Sequence, residues 1–548
     1  MDKQQSLKGP EKRKLLITLA AGGLLVILLA LVAVRLPWSS YPLPPATRQA
    51  RPENGLEPQA AALLPGFRED LSKLGNVPQY HIKAEINPQD GNLSGEMNLI
   101  YTNTQEGPVS ELVFRLYPNA KWVYGGGSLT VTQVTQSGNP VQVHFSEDGT
   151  TLRAPLSPVL QPSEATEIDM TFQDQVPAGT AGGYGIFSRT HGVLFLAGWY
   201  PVLAVYDHGW QTPDIPVVGD ALQADTSLYQ VTLTLPKGYE LASTGTVVKQ
   251  ETELPTPGIG TSEARASPNP SSVHNKTSQA NGNEQVTWQI VSGPVREFAL
   301  AASKNFKILE SQAGQVRLRY FTLPAENPIT SPDKGLDMLT RIFQAYQELY
   351  GPYPFREFDL VEASINIGGY EFSGMSSVDD ALRARDNLAD YRYLMAHEVA
   401  HQWWYGLVGT PTVTEPWLDE GHATYSAVLY LQHVGEVNSA EALLANWRHD
   451  YGERKPGKPP VNSPALEFTN WAEYRKSVYI HGALFLDQLR QELGDEKFFK
   501  LEKRFQETYR YQRATTQDYL DMAEEIAGRN LDELYLKWFD LPRTHSKS

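Results

Sequence analysis

Tyr393-Leu394-Met395-Ala396-His397-Glu398-Val399-Ala400-His401-Gln402-Trp403-Trp404 is the stretch that decides how this chain is read. If it is helical, His397 and His401 stand one turn apart and project about 40° from one another. Two imidazoles so placed bind a single Zn²⁺, and Glu398 between them in sequence can reach a water on that metal. Zinc needs a third protein ligand and an open position. Glu420, in Trp417-Leu418-Asp419-Glu420-Gly421, follows His401 with 18 residues between. That gap can end one helix, turn through Gly406, Gly409 and Pro411, and start a second helix near Pro416. Glu420 would then stand in its first turn, where a carboxylate also has a simpler reason to sit, opposite the helix dipole. The expectation is one Zn²⁺ per chain, held by His397, His401 and Glu420.

Moving outward, helical spacing at Leu336, Leu339, Ile342, Phe343 and Tyr346 predicts a helix over 334–349, and a last helix is predicted over 516–539. Upstream the period changes to two. Ile82, Ala84 and Ile86 alternate with polar residues, residues 87–92 turn, and Met97, Leu99 and Tyr101 alternate again. Val141, Val143 and Phe145 lead through Asp148-Gly149 to Leu152, Ala154 and Leu156, a hairpin pattern. The chain therefore divides into an antiparallel, sandwich-like β domain over 76–310 and a mainly α catalytic domain over 311–548. Residues 252–285, without Phe, Tyr or Trp, read as a disordered insertion in the β domain.

Residues 1–14 carry five Lys or Arg against two acids. Residues 15–34 have no charge and would span about 30 Å as a helix, the thickness of a bilayer core. The expectation is a signal anchor over 15–35, with a cytoplasmic tail at 1–14 and the rest outside the cell. Residues 36–75 are rich in Pro and read as a linker. The whole chain has 548 residues and a net charge of −16, which argues against nucleic acid as a partner. It has no Cys, so thiolate metal sites, disulfides and cysteine nucleophiles are excluded, and a bacterial cell surface is the suggested setting.

The His397-Glu398-x-x-His401, 18-residue, Glu420 pattern in its Trp417-Leu-x-Glu-Gly421 context resembles the aminopeptidase N family of zinc metallopeptidases, the gluzincins related to leukotriene hydrolase. The likeness extends through Gly198-Trp-Tyr-Pro, Gly219-Asp220 and Tyr229–Pro236 to Ser477-Val-Tyr479-Ile-His-Gly-Ala483. It implies an α+β multidomain protein whose catalytic domain is thermolysin-like. It also implies an aminopeptidase acting on peptides with free N-termini. By the same resemblance Glu398 is the general base and Tyr479 donates to the oxyanion; alone, Tyr479 reads as a core aromatic. Gly368-Gly369-Tyr370-Glu371-Phe372 takes the place of the family's exopeptidase strand, so Gly369, Tyr370 and Glu371 are implied substrate-binding residues, with Glu371 on the α-amine. Tyr370 and Phe372 replace the family's Met and Asn, and His481 replaces its Lys. An endopeptidase or other zinc hydrolase on the same fold, or a surface module without catalysis, remain the alternatives.

Overall fold

A computed structural model describes residues 56–253, 284–325, 328–384, 387–452 and 458–540. The expected anchor at 15–35, its tail, and most of the insertion at 252–285 lie outside the described residues. Among those described, no helix is long and apolar enough to cross a membrane.

The N-terminal part is built from three sheets. An eight-stranded sheet is centred on the hairpin Gln79–Asn87 and Asn92–Thr102, whose register pairs Asn87 with Asn92 and Ile82 with Met97. Its inward positions are the alternating ones: Ile82, Ala84, Ile86, Met97 and Leu99 are all buried. The sheet is not wholly antiparallel. Gln79–Asn87 runs parallel to Leu228–Pro236, with Ile82 beside Val231. Local alternation marks each strand but says nothing of a neighbour about 150 residues away, so this pairing escapes a reading by pattern. Two four-stranded sheets complete this part. In one of them His144–Phe145 pairs with Thr151–Leu160, as the second hairpin pattern predicts.

A five-stranded sheet opens the second part, in the order Lys307–Ala313, Val316–Thr322, Glu357–Ala363, Met375–Asp379 and Gly369–Phe372. The boundary expected at 310/311 falls inside its first strand. Helices then dominate. Pro332–Tyr350 is capped by Ser331, whose side chain accepts from the Lys334 amide. The helix expected over 516–539 is two, Thr516–Ala527 and Asp532–Trp538. Gly528, at φ +72°, caps the first in the left-handed conformation and breaks the run.

The expected linker needs a correction at its C-terminal end. Residues 56–75 form short helical turns at Glu57–Ala60, Pro65–Phe67 and Asp70–Lys73. Leu63 is fully buried and bridges to Phe355. The Leu64 amide donates to the Pro354 carbonyl at 2.9 Å, and the Arg356 amide donates to that of Ala62 at 2.9 Å. Asp70 accepts from Arg510 at 3.2 Å and from Tyr511 at 3.3 Å. The prolines here shape turns that bury a leucine, where composition alone suggests a spacer.

Candidate metal centre and substrate pocket

The helix Leu388–Ala400 starts at Asn387, whose side chain accepts from the amides of Ala389 and Asp390. Its last turn carries His397 and Glu398, and His401 is its C-cap. The turn is sealed on every side: Met395, Ala396, Val399 and Ala400 are buried. Three polar bonds set its position over the five-stranded sheet. Ser376 Oγ donates to the Glu398 carbonyl at 2.9 Å. Gln402 Nε2 donates to the Phe372 carbonyl at 3.0 Å, and Gln402 Oε1 accepts from the Gly374 amide at 2.9 Å. Gln402 thus bolts the strand bearing Glu371 to the helix bearing the histidines.

The second helix, Trp417–His433, begins after Pro416 and presents Glu420 in its first turn. Asp419 steadies that turn. Its carboxylate accepts from the Glu420 amide at 2.7 Å and from the Thr410 hydroxyl at 2.6 Å.

His397, His401 and Glu420 converge. His397 Nε2 lies 3.1 Å from Glu420 Oε2 and 3.2 Å from His401 Nε2, and His401 Nε2 lies 3.5 Å from Glu420 Oε2. Tetrahedral zinc bonds of about 2.0–2.2 Å would space donors by roughly 3.3–3.6 Å, so the triangle fits the ion. The tautomers also fit. His401 Nδ1–H donates to the Trp404 carbonyl at 3.0 Å and His397 Nδ1 faces the Thr424 hydroxyl at 3.5 Å, leaving both Nε2 atoms for the metal. Burial opposes charge on Glu420, but the two imidazoles hold its pKa down to about 2, in the ionised form a ligand needs.

Glu398 is buried beside this triangle, and among the described residues its Oε2 has no partner. Burial pushes its carboxyl up to about 8. Its Oε1 lies over Gly369: a Cβ there would stand 2.3 Å from it. A side chain at Gly369 would therefore have to displace the carboxylate above it. Tyr479 stacks on His397, with ring centroids 5.6 Å apart, and its hydroxyl donates to Glu420 Oε1.

All eight residues singled out from the sequence are in this region, and Gly369, Tyr370, Glu371, His397, Glu398, Glu420 and Tyr479 share one pocket of about 740 Å³. Strand alternation puts Gly369 and Glu371 on one face and Tyr370 on the other. The Tyr370 ring stacks on Phe372, and its hydroxyl accepts from the Ala221 amide at 3.3 Å.

The pocket also contains residues that the sequence reading did not select. Asp220 is the chief one. It comes from the N-terminal part, is buried, and leaves Oδ2 without a partner among the described residues. Burial raises its pKa well above the carboxylate range; burial does the same to Glu371, with Asp220 the next cause. Among the described residues neither acid is paired with Lys or Arg. Gly219-Asp220 was visible as part of the family likeness, but nothing in its neighbours signals that it reaches the metal centre. Trp471 and Arg475 line the pocket too.

Two buried imidazoles from H-E-x-x-H and a glutamate from the next helix define a gluzincin-type zinc centre. Residues 335–538 match the peptidase family M1 domain. Over this part the chain is similar to the aminopeptidase N-like gluzincins of that family. It is 23% identical over 254 residues to aminopeptidase N of Streptomyces lividans, covering 42% of this chain and 29% of that protein. It is 25% identical over 248 residues to a probable aminopeptidase 2 of Sulfurisphaera tokodaii, 42% and 31% of the two chains. The match spans about a third of the length of these curated relatives. The M1 zinc metallopeptidase of Deinococcus radiodurans shares the fold, with TM-score 0.61 and 19% identity over 85% of this chain and 94% of that one.

Proposed function

We propose that this chain is a zinc aminopeptidase that removes N-terminal residues from peptides. The observation that carries the reading is the pair Asp220 and Glu371. Two buried carboxylates, neither of them paired with Lys or Arg among the described residues, face the pocket in which the metal ligands stand. A protonated α-amine completes them, and an acylated N-terminus leaves both unpaired. A relative of the same fold, from Deinococcus radiodurans, has been crystallised with a Tyr-Ser-Ala substrate, at 18% identity and TM-score 0.61.

Zinc on His397, His401 and Glu420 supplies Lewis-acid charge and lowers the pKa of water. Glu398, with its free Oε2, takes the proton of the attacking water and passes it to the leaving amine. Tyr479 would turn its hydroxyl from Glu420 to the oxygen of the scissile carbonyl as charge develops there. Asp220 and Glu371 hold the amine, so that only the first peptide bond reaches Glu398. The replaced residues around Glu371 favour one competitor, an endopeptidase on the same fold. A panel of fluorogenic aminoacyl amides, each with its N-acetylated twin, decides between them. Release from free amines alone supports the proposal, and equal release from both twins refutes it.

We also place the enzyme outside the cell on a single N-terminal anchor. The uncharged run at 15–34 behind a basic tail supports this. Protease added to intact cells should shed a fragment beginning within 36–55, because from residue 56 onward the chain is packed on the catalytic body. Resistance of the fragment to release would count against the topology.

A further inference from the structure

Beside the metal pocket lies a second pocket of about 730 Å³, and Tyr393 and Arg475 line both. Its walls include Ala396, Ala427, Tyr430, Leu431, Leu443 and Trp447, an apolar and aromatic set. Three charged residues also border it. Arg392 is committed to a two-pronged pair with Glu436, at 2.6 and 2.8 Å, and Asp390 belongs to the first turn of the histidine helix. Arg475 is different. It is exposed, and among the described residues it has no ion-pair partner. It starts the π-helical turn Arg475–Ile480 that carries Tyr479, and its charge acts on Tyr393 and His397.

Among the described residues the metal pocket thus holds four acids, Asp220, Glu371, Glu398 and Glu420, and a single cationic side chain other than histidine. That cation stands on the wall that the polar pocket shares with the apolar one. A guanidinium matches a carboxylate with two parallel hydrogen bonds. An apolar pocket next to it suits the side chain on the same residue.

We infer that Arg475 and the pocket beyond Tyr393 recognise the C-terminal residue of a short peptide, the guanidinium taking the terminal carboxylate and the pocket an apolar side chain. This inference rests on the aminopeptidase reading. The substrate class is then short peptides with both ends free, with Asp220 and Glu371 at one end and Arg475 at the other. Arg475 contacts substrate away from the scissile bond, so it sets specificity and does no chemistry.

The test uses the full zinc-loaded enzyme and tripeptides ending in Leu or Gly, each as free acid and as C-terminal amide. The wild type should prefer acid to amide by about ten- to a hundredfold in kcat/KM, chiefly through KM, and should prefer Leu to Gly. Arg475→Ala should collapse the acid-to-amide ratio towards one, and Arg475→Lys should keep part of it. Equal cleavage of acid and amide by the wild type overturns the inference while leaving the aminopeptidase reading intact. So does a ratio that survives Arg475→Ala, or a variant that slows acid and amide alike, since Arg475 would then only offset the four acids. If the wild type releases no N-terminal residue from any of these peptides, the aminopeptidase reading itself fails and takes this one with it.

Discussion

Gly421 and Gly482 meet backbone to backbone where the helix Trp417–His433 crosses the helix His481–Leu493. A Cβ on Gly482 would lie 2.9 Å from the Gly421 Cα, and one on Gly421 would lie 3.1 Å from the Gly482 Cα. Glu420 precedes the first glycine by one residue and Tyr479 the second by three, so this crossing sets the Tyr479–Glu420 hydrogen bond. Gly482→Ala must push the helices apart. Destabilisation by about 1–3 kcal/mol is expected, with a fall in kcat beyond what unfolding explains. Denaturation midpoints and kcat at a temperature where the variant is fully folded measure the two separately.

Gly369→Ala attacks Glu398 without touching a metal ligand. Its methyl would claim the space of Glu398 Oε1, so the carboxylate must move. Zinc content should stay at one per chain while kcat drops by at least about tenfold, as for a displaced general base. Normal kcat in this variant would show that the Glu398 position is not set by Gly369.

His401→Ala removes one of three metal donors and the hydrogen bond to the Trp404 carbonyl. A two-ligand site holds zinc weakly, so elemental analysis after dialysis should find the metal gone. Stoichiometric zinc would overturn the ligand set.

The carboxylates should fail in different ways. Glu398→Gln keeps the shape and should cost about 10²–10⁴-fold in kcat on every substrate, with zinc retained. Asp220→Asn and Glu371→Ala should instead raise KM and shrink the preference for a free over an acetylated N-terminus. The informative quantity is that preference in each variant. If Asp220→Asn leaves it at the wild-type value, Asp220 is no part of the amine site.

A pH effect on stability is expected from Glu502, far from the metal ligands in sequence. Burial pushes its pKa from 4.5 up to about 8, and it accepts from the Tyr519 hydroxyl at 2.6 Å. The folded state therefore holds the proton more tightly than the unfolded chain. Its contribution is full below about pH 4.5 and is lost as pH rises through about 8. Glu502→Gln should flatten this slope and raise the melting temperature relative to wild type at pH 8.5. Parallel pH profiles for the two proteins would show that Glu502 is not the group responsible.

The metal centre could be read from the sequence because its parts are local. His397, Glu398 and His401 lie within one helical turn, and Glu420 opens the next helix. Asp220 is the counterexample. It arrives from the N-terminal part, 177 positions before His397, and only the packing of that part against the pocket brings it there. The parallel pairing of Gln79–Asn87 with Leu228–Pro236 was hidden for the same reason. Gly528 was a different kind of miss. The helical period continues past it, and only its left-handed φ ends the helix. Residues 56–75 were misjudged because proline counts describe a backbone and not the leucine it carries.

Leu63 also bears on where a trimmed version of this protein can begin. Its side chain closes a gap beside Gly293 and Phe355, where the β sheets and the helical part adjoin. A secreted version trimmed at residue 75, where composition suggests the cut, would leave that gap open to water and strand Arg510 without Asp70. One starting at or before Leu56 keeps the plug. The packed part of the chain therefore begins, among the described residues, some twenty residues earlier than its strand pattern implies.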